Sequence, residues 1–258
     1  MALGRTFIAA VAVAATVFSA DGAAAKTEPA PQAEPRPPVP AVAVSTPAAA
    51  VAAEPECVRI KGAEACVGPD GSDRPGITIE DTANDELHAT VEYYLNGYLG
   101  TKYVIHNLGR KGEVRGNREI GKIVTFRAAV YEGNHRVRFG RWKTVRNITK
   151  YPIKRETRVT TAAARSRSKV CTSTKGASTL CFNERNTVVF ACDTSADQYQ
   201  ARAEYFIAGD PTTRFEIHQL AGVNTCGKAE HGDLAVSMYR ASLFDHNRRV
   251  ATRLYKYN

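Results

Sequence analysis

Two stretches, YVIHNL at 103–108 and FEIHQL at 215–220, set a histidine in the same apolar frame. Each is preceded at equal spacing by a glutamate, Glu92 or Glu204. Successive side chains of a strand point to opposite faces, so His106 faces away from Tyr103 and Ile105 and shares its side with Glu92 and Lys102. His218 shares its side with Glu204 and Arg214 in the same way. If the strands pair symmetrically about their connection, Glu92 and His106 are diagonal cross-strand neighbours. A carboxylate and an imidazole beside a cation could act as a general acid–base pair or form a small binding site. The plainer expectation is a row of ion pairs on the outer, solvent-facing side of a sheet. No repeated nucleophile accompanies the pairs, and no Gly-x-Ser-x-Gly elbow, His-Glu-x-x-His helix or phosphate loop occurs. The sequence therefore designates no catalytic residue, metal site or cofactor. A hydrolase using the Glu/His pairs is kept as an alternative.

The likeness of the two stretches extends far beyond the histidines. DTANDELHATVEYYLNG at 81–97 matches DTSADQYQARAEYFIAG at 193–209 without a gap, and the register continues through Thr101/Thr213. After a one-residue shift, TFRAAVYEGNHRV at 125–137 meets MYRASLFDHNRRV at 238–250. The chain is an internal duplication of a unit the size of a small domain.

Within each unit the pattern is β. Leu87, Ala89, Val91, Tyr93 and Leu95 fall on one face of an alternating strand, and Tyr199, Ala201, Ala203, Tyr205 and Ile207 repeat it. A five-residue loop holding Gly97 and Gly100, or Gly209 and Pro211, closes a hairpin onto Tyr103/Ile105 or Phe215/Ile217. A second hairpin carries Phe126, Ala128 and Val130 inward, turns at 132–134, and brings Val137 back to the core. No helical stripe follows the leader. The expected fold is all-β: two tandem, internally duplicated antiparallel β-sandwich or small barrel domains. Repeat 1 spans 57–146, a basic connector 147–170, and repeat 2 171–258.

Six cysteines fit the same plan. Cys57 and Cys66 open the first unit, and Cys171 and Cys181 open the second at similar spacing. Cys192 and Cys226 occur only in the second unit, so they are most simply bonded to each other. This selects Cys57–Cys66, Cys171–Cys181 and Cys192–Cys226 from the possible connectivities. The spacings lack the Cys-x-x-Cys pairs of a zinc site. Asp70 and Asp73 in GPDGSD lack the ligand spacing of a calcium loop and read as a turn.

The N-terminal residues 1–25 read as a bacterial signal peptide with an apolar run too short to span a bilayer. A Pro/Ala-rich, aromatic-free linker at 26–56 favours extended polyproline II over a packed core. The expected location is therefore secreted, extracellular or cell-wall associated, with no transmembrane segment.

Charge is the remaining functional signal. The net charge is +9, and its distribution is uneven. Repeat 2 is nearly neutral and the start of repeat 1 is acidic, whereas about 100–169 is strongly basic. The expected basic belt comprises Arg110, Lys111, Arg115, Arg118, Arg136, Arg138, Arg141, Trp142, Lys143 and Arg146. It continues through Lys150, Lys154, Arg155, Arg158, Arg165, Arg167 and Lys169. Clustered cations attract polyanions by releasing counterions. The functional expectation is a non-enzymatic binding protein for an anionic cell-wall polymer or another extracellular polyanion. An alternative is a binder of a protein partner, such as a protease inhibitor.

Overall fold

A computed structural model describes residues 54–69, 75–117, 121, 123–146, 159–174 and 178–258. The expected signal peptide, nearly all of the Pro/Ala-rich linker, and Asp70 and Asp73 lie outside the described residues. In repeat 1, strands β1 (Glu56–Ile60), β2 (Ala63–Pro69) and β3 (Pro75–Asp81) precede a long hairpin. That hairpin is β4 (His88–Leu95) and β5 (Tyr98–Asn107). Then come β6 (Val114–Asn117), β7 (Ile123–Glu132), β8 (His135–Phe139) and β9 (Lys143–Arg146). The described end of the connector forms β10 (Val159–Thr160) and helix α1 (Thr161–Ser166). Repeat 2 follows with β11 (Val170–Thr174), β12 (Ser178–Phe182), β13 (Val188–Asp193), β14 (Gln200–Ile207) and β15 (Asp210–Gln219). It ends with β16 (Thr225–Glu230), β17 (Val236–Asp245), β18 (Arg248–Thr252) and β19 (Lys256–Tyr257).

The duplication is visible in the strand order. One small sheet runs β1-β2-β3-β6, and its counterpart runs β11-β12-β13-β16 with β10 added beside β16. The larger strands form a single ten-stranded sheet, β18-β17-β14-β15-β5-β4-β7-β8, with β19 also on β17 and β9 also on β7. All of these ladders are antiparallel. The two repeats thus meet edge to edge, β5 against β15, in one sheet. Val104 sits opposite Glu216 at the centre of that seam. Around it Arg214 faces His106 and His218 faces Lys102, so the seam has approximate two-fold symmetry.

The alternating residues form the apolar core as the pattern requires. Ala89, Val91, Tyr93, Tyr103, Ile105, Phe126, Ala128 and Val130 pack against Ala65, Val67, Ile77 and Ile79 of the small sheet. Repeat 2 contributes Ala203, Tyr205, Phe215, Ile217, Tyr239 and Ala241. This is the β-sandwich arrangement, with burial of apolar area as its main stabilising term.

Three local features differ from the expectation. The long hairpins close on two residues, Asn96–Gly97 and Ala208–Gly209, not on five. Asn96 and Gly97 both have positive φ, 54° and 73°. That pair suits a primed turn, whose twist matches the flanking strands. Val137 does not return to the core but is 46% exposed. It is the extra residue of a β-bulge, since Val130 pairs with Arg138 and Tyr131 with Arg136. Val250 holds the equivalent place in repeat 2. Arg136 and Arg249 lie between the turn and the bulge, opposite Tyr131 and Phe244 on the side of the sheet away from the apolar core, and the bulge reverses the alternation only from Arg138 and Ala251 onward. Finally, α1 is a short helix where none was expected. Thr160 caps it, its hydroxyl accepting from the Ala163 N–H at 3.1 Å, and Ala164 packs on Phe190, Cys192 and Cys226.

All three expected disulfides are present, and the described residues contain no free cysteine. Cys192–Cys226 closes the longest loop, a separation of 34 against 9 for Cys57–Cys66. It is also buried beneath α1. Replacing Cys192 and Cys226 with alanine should cost roughly 1 kcal/mol more than the same change at Cys57 and Cys66 on loop entropy alone. Urea unfolding of the two variants checks this, and equal midpoints would contradict it. No helix among the described residues is long and apolar enough to cross a membrane.

Candidate functional site

The side of the ten-stranded sheet facing away from the apolar core is not solvent-exposed, contrary to the expected row of surface ion pairs. Residues 89–95, 101–107 and 201–207 are buried in unbroken runs rather than alternately. Glu92, His106 and Glu204 are 0% exposed, and Lys102, Arg127, Arg202, Arg214, Glu216 and His218 are also buried. The sheet therefore has an apolar core on one face and an ionic one on the other.

The ionic face is built from one module used twice. In repeat 1, Arg127 Nε and Nη2 lie 2.7 and 2.5 Å from Glu92 Oε2. Arg136 Nη1 lies 3.2 Å from both carboxylate oxygens, Lys102 Nζ is 3.8 Å away, and Tyr131 donates its hydroxyl. In repeat 2, Arg240 and Arg249 hold Glu204, with Arg249 Nη2 at 2.7 Å from both oxygens and Ser242 Oγ at 2.7 Å from Oε1. An aromatic pair clamps the first arginine of each module. Trp142 lies under Arg127 at 4.3 Å and packs on Tyr94, while Tyr255 lies under Arg240 at 4.1 Å and packs on Phe206. Burial by itself raises the Glu92 pKa. Lys102, Arg127 and Arg136, with the Tyr131 hydroxyl, outweigh it and hold the carboxylate well below its usual range.

Glu92 and His106 are diagonal neighbours, as the pairing of Glu92 with Val104 and Thr90 with His106 requires. They do not form the expected pair. His106 instead reaches across the seam, its Nε2 3.0 Å from Glu216 Oε1. His218 Nε2 lies 2.8 Å from Glu216 Oε2. One carboxylate at the centre of the seam thus joins the repeated histidines of both units. Arg214 Nε is 3.3 Å from Glu216 Oε1, and Arg214 Nη2 is 3.1 Å from His106 Nδ1. His88 Nε2 is 2.9 Å from His106 Nδ1 and extends the row outward.

The electrostatics disfavour the charged form of these imidazoles. Burial, and then the Arg214 charge, lowers the His106 pKa. Burial and Arg202 lower His218 to about 3, and burial with its His106 neighbour lowers His88 to about 3. Burial raises the Glu216 pKa, but His106 and Arg214 outweigh it and hold the group well below the usual carboxylate range. A neutral imidazole has one N–H, so both histidines place it on Nε2 to donate to the ionised Glu216. This arrangement orients and neutralises charge. It offers no exposed base, since His106 and His218 are 0% and 1% exposed.

The expected basic belt is divided by the fold. Arg136 belongs to the buried module, not to the surface, because it stands opposite Tyr131 on the covered side of the sheet and reaches Glu92. Trp142 is half-buried under Arg127. Arg115 is half-buried against Glu113 and donates to Thr212 Oγ1 at 2.9 Å. Arg138 donates to the Lys61 carbonyl at 2.7 Å, and Lys143 pairs with Glu56 at 2.6 Å. Arg110, Lys111, Arg141, Arg146, Arg165, Arg167 and Lys169 are exposed. Arg118, Lys150, Lys154, Arg155 and Arg158 lie outside the described residues. Only Cys57, Glu64 and Cys66 cluster with metal-ligand geometry among the described residues, and their two sulfurs are bonded to each other.

Four residues central to the site went unrecognised in the sequence: Arg127, Arg240, Arg249 and Glu216. The first three carried a signal. TFR aligns with MYR and NHRV with NRRV, so each arginine recurs in register. Glu216 aligns with Val104 and carried none.

No protein-family model matches the chain. No curated protein matches it either. Among solved structures, the chain is similar to the crystal structure of the chicken CNTN1 FN1–FN3 domains. The identity is 8%, the match covers 75% of this chain and 76% of that chain, and the TM-score is 0.25.

Proposed function

We propose that the protein is a non-enzymatic binding protein of the cell exterior that attaches to an anionic envelope polymer or another extracellular polyanion. The observation that carries this reading is the set of cations left at the surface once the buried modules are accounted for. Arg110 and Lys111 sit together in one loop, Arg141 precedes β9 and Arg146 ends it, and Arg165, Arg167 and Lys169 crowd the end of α1. Such groups attract polyanions through long-range fields and counterion release. Burial of the repeated histidines supports the non-enzymatic part, because a general base must come within hydrogen-bond reach of its substrate. Three disulfides suit an oxidising compartment.

The test is retention of the purified, oxidised protein on cell-wall sacculi and on heparin as salt is raised. Wild type is expected to bind at low salt and to elute early in the gradient. Changing Arg110, Lys111, Arg141, Arg146, Arg165, Arg167 and Lys169 to glutamine should abolish retention while leaving the melting temperature within a few degrees. Wild-type protein flowing through at low salt would overturn the reading. Salt-tolerant binding mapped to repeat 2 would favour a protein partner instead.

A further inference from the structure

Arg202 stands apart from the other cations of the buried face. It is 3% exposed, yet no ion pair among the described residues includes it. Its Nη2 donates to the His246 carbonyl and, at 3.3 Å, to Gln200 Oε1, and the guanidinium lies 3.7 Å from the Phe244 ring centroid. Its buried Nε–H has no hydrogen-bond partner. His218, directly opposite on β15, has an equally unpartnered Nδ1. So does the Nε of Arg249, whose guanidinium lies 5.3 Å from the same Phe244 ring. In repeat 1 the place of Arg202 is taken by Thr90. Its hydroxyl is 3.3 Å from His106 Nδ1, and neither Thr90 nor His106 has an unpartnered buried atom.

A guanidinium taken out of water with no carboxylate in contact is destabilising. Glu216 and Glu204 favour the Arg202 charge from a distance, but burial outweighs them. Facing unsatisfied groups suit a bound water or ion. The unpartnered atoms specify its chemistry. Arg202 Nε needs an acceptor oxygen, and with no carboxylate in contact with Arg202 a negatively charged one suits it. His218 donates through Nε2 to Glu216, so its Nδ1 presents a lone pair and needs an O–H donor. Water supplies a donor but no charge. Sulfate supplies charge but no donor at neutral pH. Hydrogen phosphate supplies both.

We propose that the buried face of repeat 2 binds one small protonated oxyanion of the phosphate class at the facing side chains of Arg202 and His218. Arg202 donates to the His246 carbonyl in the exposed turn between β17 and β18, so the site lies next to the protein surface. The site is separate from the surface cations and does not depend on what they bind.

The experiment compares thermal unfolding of the purified, oxidised protein near pH 7 in phosphate and in sulfate at matched ionic strength. Sulfate strengthens burial generally and acts on any variant. Phosphate should raise the wild-type melting temperature by several degrees beyond sulfate. Arg202→Thr, which copies Thr90, should lose that difference. Equilibrium dialysis against phosphate at high sodium chloride, where surface attraction is screened, should give one phosphate per wild-type chain. The proposal is overturned if phosphate and sulfate act alike on wild type, if Arg202→Thr keeps the phosphate response, or if dialysis finds no stoichiometric phosphate. Should Arg202→Thr fail to fold, the wild-type dialysis decides.

Discussion

Glu92→Gln is expected to lower stability by about 3–5 kcal/mol, the usual penalty for breaking a buried ion pair by removing one partner. The physical reason is the company Glu92 keeps. Arg127, Arg136 and Lys102 converge on a carboxylate with no exposure to water, and an amide cannot neutralise them. Folded domains are stable by only about 5–15 kcal/mol, so the variant should melt roughly 10 °C lower. Adding Arg127→Met should recover part of the loss, because it removes one of the stranded charges together with its desolvation. Double-mutant cycles by denaturant unfolding measure that coupling. A Glu92→Gln variant as stable as wild type would mean that water reaches the module.

Acid should unfold the protein well before its carboxylates are titrated in the usual range. His88 and His218 titrate at about 3 and His231 at about 4 in the folded protein, below the unfolded value of about 6.5. The fold therefore stabilises the neutral imidazoles. That contribution is complete above about pH 6.5 and is lost progressively as pH falls toward 4 and then 3. His231 alone, whose Nε2 lies 2.8 Å from the Tyr205 hydroxyl in an apolar setting, represents on the order of 3 kcal/mol. Glu92 and Glu216 have depressed folded pKa values. Their contribution holds above the unfolded carboxylate range and is lost below it, so it adds to the same acid limb. Melting temperature against pH should be flat from about 8 to 6.5 and then fall steeply. His231→Gln should shallow the fall between 6.5 and 4, and a profile unchanged by that substitution would refute the assignment.

Much of this fold was legible because the duplication writes each pattern twice. The unpaired arrival of Cys192 and Cys226 in repeat 2 fixed their bond, and the period-2 faces at 87–95 and 199–207 located the apolar core. The location of the charged face was not legible. Alternation says that Glu92 and His106 point away from Tyr93, but not whether that side meets water. The answer depends on the joining of the two repeats into one sheet at β5 and β15 and on Trp142 and Tyr255 covering the arginines. Both effects are tertiary and leave no mark in the alternation of a single strand. Glu216 was hidden for a different reason. It acts through a partner in the other repeat, and a unit-by-unit alignment scores it as a mismatch with Val104.

That mismatch has an evolutionary consequence. On a two-fold axis a residue meets its own copy, so a pair of identical, unlinked subunits would set valine against valine or glutamate against glutamate at the seam. The first leaves two imidazoles without a shared acceptor, and the second opposes two carboxylates. Joining the copies in a single polypeptide lifts that constraint. It lets one half mutate without the other, so that a lone carboxylate can serve both histidines, a solution unavailable to a homodimer.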